Sequence, residues 1–230
     1  MSTVLITGTN RGIGLEFVKQ YLGRGDTVLA TCRNPDSAGE LAELAASNDK
    51  LTLMALDVSK DESRTSFASA LADTAVDVFI NNAGVYGPRD ASFGNVAAEE
   101  WEEVFYVNSI APLLLTQEII ESLRKGSDKK LVYITSKMGS IDDNSGGGSY
   151  IYRSSKTALN SVVRSLSVDL RDEGFSVALL HPGWVQTDMG GPNALIDTLT
   201  SVNGMLGVID NLNQANTGQF FNYDGQPIAW

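Results

Sequence analysis

Short runs of β-branched and aliphatic residues alternate along this chain with longer segments of helical length. The runs are Thr3–Thr7, Thr27–Cys32, Leu51–Leu56, Val76–Asn81, Leu131–Thr135 and Phe175–His181, with a weaker one at Gln219–Tyr223. They are apolar at nearly every position rather than at alternate ones, as expected of strands buried on both faces of a parallel sheet. The intervening segments Gly12–Leu22, Ser37–Ala46, Asp61–Ala72, Ala97–Leu123 and Tyr150–Arg171 are expected to be helices. Alternation of this kind predicts a doubly wound α/β sheet. The glycine-rich stretch Asn144–Ser149 falls between a strand and a helix of the same pattern, so it reads as a loop inside one domain spanning 1–230. Met189–Asn216 lacks a strong strand and is expected to supply a small helical flap.

Composition narrows the function classes. With 43% hydrophobic and 20% charged residues the chain buries a sizeable core. Its net charge of −11 argues against a nucleic-acid partner, which needs clustered Lys and Arg. A single cysteine, Cys32, excludes an intrachain disulfide framework and a cysteine-ligated zinc site, and no metal is expected. Cys32 reads as a buried strand residue. The one histidine, His181, reads as a strand-end residue rather than a base. No basic leader precedes the first apolar run and no stretch has spanning length, so a cytoplasmic protein without a membrane span is expected.

The first strand runs into TGTNRGIG, Thr7 to Gly14, and then into a helical pattern. A strand-to-helix turn of this sort lets backbone N–H groups approach a pyrophosphate, with the helix dipole behind them. Glycines 8, 12 and 14 are spaced GxxxGxG rather than GxGxxG, and an ordinary tight turn is the rival reading. At the end of the second strand, where an NAD site usually carries a carboxylate, stands Thr31-Cys32-Arg33-Asn34-Pro35, with no acid until Asp36. Arg33 and Arg11 would instead clamp a 2′-phosphate, which favours NADPH over NADH. Asp57-Val58 suits either an adenine contact or a helix cap. Asn81 to Gly84 (NNAG) would tie strand ends together or simply form a turn.

Further along, Tyr152 and Lys156 stand four apart at a helix start, on one face. An ammonium ~5 Å from a phenol, at an effective dielectric of ~20, favours phenolate by roughly 3 kcal/mol, or about two pKa units. Such a pair would carry out acid–base chemistry near neutral pH. Ser136, just past the fifth strand, would donate to a carbonyl oxygen as charge develops there, with Ser140 as its rival. Asn108 lies mid-helix, where asparagine is mildly unfavourable, which suggests a role for its amide. The turn His181-Pro182-Gly183-Trp184-Val185-Gln186-Thr187 would set backbone groups and the Thr187 hydroxyl beside a nicotinamide. Val85, Tyr86, Met138, Trp184 and Met189 are candidate substrate-pocket residues.

Taken together, the ordered set TGTNRGIG, Asp57-Val58, NNAG, Asn108, Ser136, Tyr152/Lys156 and Pro182-Gly183 resembles the short-chain dehydrogenase/reductase family over essentially the whole chain. SKMGSI, YRSSKTALN, HPGWVQTDMGGPNA and the ending YDGQPIAW resemble, more narrowly, the branch containing C-factor and sniffer-type carbonyl reductases. The resemblance implies a Rossmann-like fold with a seven-stranded parallel sheet, residues 1–100 mainly binding cofactor and 101–230 carrying catalysis and substrate binding. It implies cofactor contacts from Gly8, Asn10, Arg11, Gly12, Ile13, Gly14, Arg33, Asp57, Val58, Asn82, Ala83, Gly84, Tyr152, Lys156, Pro182, Gly183, Val185 and Thr187. Tyr152 would protonate a small-molecule carbonyl, Ser136 steady its oxygen, Lys156 hold the nicotinamide ribose, and Asn108 hold a relay water. Ser136 lies 16 positions before Tyr152, more than the family usually shows; Ser140 fits that spacing better, while the Ser-x-x-Gly pattern after the strand favours Ser136. The resemblance leaves two functions open, carbonyl reduction and a cofactor-binding signalling role, and suggests a homodimer or homotetramer.

Overall fold

The computed structural model describes all 230 residues. Seven parallel strands form one sheet: β1 (Thr3–Thr7), β2 (Thr27–Cys32), β3 (Leu51–Ala55), β4 (Val78–Asn81), β5 (Lys130–Ile134), β6 (Ser176–His181) and β7 (Gln219–Asn222), in the order β3-β2-β1-β4-β5-β6-β7. The chain thus has the Rossmann-like, doubly wound fold expected. The strand order reverses between β1 and β4, and a crevice opens there at the carboxyl ends of the strands.

Alternate strand residues serve opposite layers. Val4, Ile6, Val28 and Ala30 pack against α1 (Gly12–Gly23), α2 (Glu40–Ser47) and α8 (Thr198–Asp210). Leu5, Leu29, Phe79 and Leu131 pack against α3 (Asp61–Leu71), α5 (Ala111–Glu118), α6 (Ile120–Lys125) and α7 (Tyr150–Asp169). Both faces of the inner strands are therefore covered. Strand β3 is the exception: it lies at the sheet edge with Thr52 and Ala55 exposed.

Three helical expectations need correction. The long helix over Ala97–Leu123 is broken into α4 (Ala98–Phe105), a π-helical turn (Tyr106–Ile110), α5 and α6. The π turn brings the polar side chains of Asn108 and Ser109 inward, where both are buried, and Pro112 begins the next segment with no N–H to give. The helix expected at Ser37–Ala46 starts later, because a short 3₁₀ turn at Pro35–Ser37 is followed by Gly39 at φ +52. The segment expected to be a flap holds α8, whose Val202, Met205, Leu206 and Ile209 are at most 2% exposed and belong to the core. It is a structural layer, not a lid.

A buried cation joins the end of the crevice beyond β3 to this broken helix. Arg64 on α3, its side chain 2% exposed, donates to the Val58 carbonyl at 2.8 Å, the Tyr106 hydroxyl at 3.3 Å, Asp61 at 2.5 Å and Glu118 at 3.4 Å. Removing it leaves a cavity and strips the part-buried Val58 carbonyl and Tyr106 hydroxyl of their donor. Arg64→Leu is expected to cost about 2–3 kcal/mol, read as a lower midpoint in urea unfolding. An unchanged midpoint would show that the network contributes nothing net.

Candidate active site

A cavity of about 470 Å³ occupies the crevice. The glycine turn forms one wall: Gly8, Asn10, Arg11, Gly12, Ile13 and Gly14 all line it. The turn is tied down by its own hydroxyls. Thr9 donates through both N and Oγ1 to the Thr31 carbonyl at 3.0 Å, while Thr7 Oγ1 accepts from the amides of Asn82 and Ala83, each at 3.0 Å. Asn82 Nδ2 reaches back to the Thr7 and Gly8 carbonyls, each at 2.9 Å, so this asparagine does tie strand ends together. Only glycine fits at position 14, where a Cβ would sit 2.2 Å from the Gly8 carbonyl oxygen. Thr7 and Thr9 were not singled out by sequence reasoning; hydroxyl residues flanking a glycine turn were the available signal.

Arg33, Asp57, Val58, Asn82, Ala83 and Gly84 continue the lining. Arg33 stands exposed at the rim and makes no ion pair. Asp57 neither caps α3 nor remains unpartnered: its carboxylate accepts from the Ser59 amide at 3.0 Å and hydroxyl at 2.7 Å. Burial alone would raise its pKa, but the two Ser59 contacts together with the nearby charges of Arg33 and Lys60 hold it below the usual carboxylate value. Arg11 is paired at 2.7 Å with Asp188, a residue the sequence reading passed over although it directly follows Thr187. Both side chains are well exposed, 69% and 76%, so the pair is weak and easily exchanged for another anion.

Tyr152 and Lys156 lie in the first two turns of α7 and both face the cavity. Lys156 Nζ donates to the Ile134 carbonyl at the end of β5, 3.0 Å away. Gly139 lets the loop after β5 press against α7, since a Cβ there would meet the Lys156 carbonyl carbon at 2.8 Å. The Ser136 hydroxyl faces the Tyr152 phenol and draws its pKa down. Each hydroxyl also accepts one backbone amide at 3.1 Å, Ser136 from Met138 and Ser140 from Asp143. Asn108 flanks Gly84 opposite Lys156. Its amide clamps the Val85 backbone, accepting from N at 2.9 Å and donating to O at 2.8 Å, and donates to Ser155 Oγ at 3.0 Å. Both Nδ2 hydrogens of Asn108 are thus committed to protein partners, while Oδ1 accepts a single bond.

The electrostatics differ from what spacing alone suggests. Burial raises Tyr152 to about 12, with a lesser contribution from Tyr86, and Ser136 only partly offsets it. Burial also lowers Lys156 to about 8. Desolvation is the largest cause of both shifts. His181 is held near 4, chiefly by burial and also by Lys137; it ends β6 as expected, with Cys32 buried in β2.

The remaining expectations divide. Pro182 and Thr187 line the cavity, as do Val85 and Met189. Gly183 and Val185 do not: Val185 is 4% exposed and bridges Ile196 instead. Trp184 is half exposed and turned to the Gly190 carbonyl, 2.8 Å from Nε1, and Met138 also lies outside the lining. Tyr86 stacks on Tyr152 with ring centroids 4.5 Å apart. Glu103, Val107 and Gln186 line the cavity without any sequence signal to mark them.

A family model described as short chain dehydrogenase matches residues 2–195. The chain belongs to that family. It is accordingly an NAD(P)-dependent oxidoreductase, and it sits in the branch that the YRSSKTALN and HPGWVQTDMGGPNA segments suggested. It is 49% identical over 164 residues to the C-signal of Myxococcus xanthus, covering 71% of this chain and 98% of that one. Among solved structures, the carbonyl reductase Sniffer of D. melanogaster superposes with a TM-score of 0.95 at 35% identity, covering all of both chains. The NADPH-bound carbonyl reductase from chicken fatty liver gives 0.94 at 36% identity, covering 100% of this chain and 99% of the other. No helix of the enzyme is long and apolar enough to cross a membrane.

Proposed function

We propose that this enzyme uses NADPH to reduce small aldehydes, ketones or quinones to alcohols. The observation that carries the reading is that Lys156 and Tyr152, with Ser136 beside its phenol, face a crevice whose far rim holds Arg33 without an ion pair and no carboxylate at the end of β2. The residues present fit the cofactor. The glycine wall exposes a close-approach surface for a pyrophosphate, and Arg33 and Arg11 supply cations for a 2′-phosphate. Asp57, Val58 and Asn82 to Gly84 border the adenine and ribose side, with Pro182 and Thr187 bordering the nicotinamide side. On this reading residues 1–100 mainly bind cofactor and 101–230 carry the chemistry.

When bound, NADPH supplies a hydride to the carbonyl carbon. Tyr152 donates its proton to the carbonyl oxygen, for which a phenol that keeps its proton at neutral pH is the right form. Ser136 donates a hydrogen bond to that oxygen as it gains charge. Lys156, pinned to the end of β5, holds the ribose and orients the site. Asn108 acts by fixing the Val85 backbone and α7 through Ser155, so that the floor of the pocket does not shift.

The decisive experiment is NADPH oxidation over a panel of carbonyl compounds; no turnover of any would count against the reading. The choice of cofactor has its own test. Arg33→Ala is expected to lower kcat/KM for NADPH by about tenfold to a hundredfold, with a much smaller effect on NADH. An unchanged NADPH-to-NADH ratio would remove Arg33 from the phosphate site.

The identity to C-signal favours a second reading, a cofactor-binding signalling role with little turnover. Tight NADPH binding without reduction of any carbonyl would support it. We also place the enzyme in the cytoplasm as a homodimer or homotetramer. The apolar groove of Ala98, Trp101, Phe105 and Ile110 is the face offered for self-association, which sedimentation velocity tests directly.

A further inference from the structure

The cavity mouth carries a cation that the chemistry above does not use. Arg89, exposed in the loop between β4 and α4, holds its guanidinium carbon 5.6 Å from the Tyr86 ring centroid. Tyr86 in turn is the ring stacked on Tyr152. One terminal nitrogen of Arg89 reaches across the cleft to the carbonyls of Asp188 at 3.2 Å and Met189 at 3.0 Å. These contacts fix the guanidinium in place without neutralising it. The nearby carboxylates are committed elsewhere: that of Asp188 to Arg11 at 2.7 Å, and that of Asp90 to the Asn95 amide at 3.0 Å. In a chain with 28 acidic and 17 basic residues, Arg89 at the mouth has no ion-pair partner.

We propose that Arg89 takes a carboxylate carried by the substrate, so that the preferred carbonyl compounds are anionic, with the carboxylate on the arm remote from the reacting carbon. Nε and the second terminal nitrogen have no protein partner and keep N–H donors for a charge-assisted hydrogen bond to a carboxylate. Stacking on Tyr86 and the two carbonyl contacts hold the side chain in advance, so little rotamer freedom is lost on binding. Tyr86 stands between this cation and the Tyr152 ring, so the carboxylate lies at least one ring's width from the reacting carbon. The reaction is unchanged: hydride to the carbonyl carbon, proton from Tyr152 to the oxygen. The inference rests on the carbonyl-reductase reading.

The test compares kcat/KM for 4-formylbenzoate and its methyl ester, and for the longer 4-formylcinnamate and its ester, with NADPH. Wild type should prefer at least one acid over its ester. In Arg89→Gln that acid-to-ester ratio should fall about tenfold, whatever happens to the ester itself; in Arg89→Lys it should fall less, and in Arg89→Glu it should invert. If the ratio is the same in Arg89→Gln as in wild type, Arg89 is only a strap between loops and the inference fails. It fails equally if wild type reduces neutral carbonyls but prefers neither acid. Reduction of no carbonyl at all would instead overturn the reading on which it rests.

Discussion

Tyr152→Phe is expected to lower kcat/KM for carbonyl reduction by about 10³-fold while leaving NADPH binding, followed by fluorescence titration, close to wild type. The variant deletes one oxygen from a ring packed against Tyr86, so the shape of the pocket changes little and the loss reports proton donation. The direction of the pKa shift adds a second signature. Burial holds the phenol near 12, so it retains its proton across the neutral and mildly alkaline range. Reduction, which needs the phenol protonated, should be insensitive to Tyr152 ionisation up to about pH 10. Oxidation of the corresponding alcohol needs phenolate and should rise steadily with pH over the same range. Undiminished reduction by the phenylalanine variant would show that the proton comes from elsewhere.

The strands were legible because burial on both faces leaves no polar positions to confuse the pattern, and even the edge strand β3 begins where expected. The glycine wall and the Tyr152–Lys156 pair were legible because their backbone and spacing demands are local. What was hidden was hidden for physical reasons. A π turn adds a residue without disturbing the apolar pattern around it, so the break at Tyr106–Ile110 left only the oddly placed Asn108 as a trace. Helix α8 contains Gly204 and Gly207, which lower helix propensity. Gly204 is needed because a Cβ there would meet the Tyr223 carbonyl oxygen at 2.6 Å, a tertiary demand that sequence reading took for looseness. Which of Ser136 and Ser140 meets the Tyr152 phenol depends on the path of the loop after β5, and loop geometry is not written in spacing. The Tyr–Lys electrostatics went the other way from the Coulomb estimate because a separation can be read from i to i+4, whereas desolvation cannot.

That last point predicts a conflict between stability and activity at Lys156. Burial depresses its pKa from 10.5 to about 8. The unfolded chain therefore binds more protons than the folded one between these values, and stability rises with pH across that window. Below pH 8 the lysine is charged in both states and the folded state bears the full desolvation cost. A shift of this size corresponds to roughly 3 kcal/mol, offset by about 1 kcal/mol for the hydrogen bond to the Ile134 carbonyl that a methionine cannot make. Lys156→Met keeps the length and packing of the side chain, so at pH 7 it is expected to stabilise the fold by about 2 kcal/mol, or a rise in Tm of several degrees. On the proposed reading, in which Lys156 holds the ribose and orients the site, the same change should cost about 10²-fold or more in carbonyl reduction. The stability gap between variant and wild type should then close as pH is raised from 8 towards 10.5, where the native lysine sheds its charge on folding without penalty. A variant less stable than wild type at pH 7 would mean that Lys156 is held by favourable contacts rather than against its solvation. A stable, inactive variant would identify it as a charge kept in the interior for function alone.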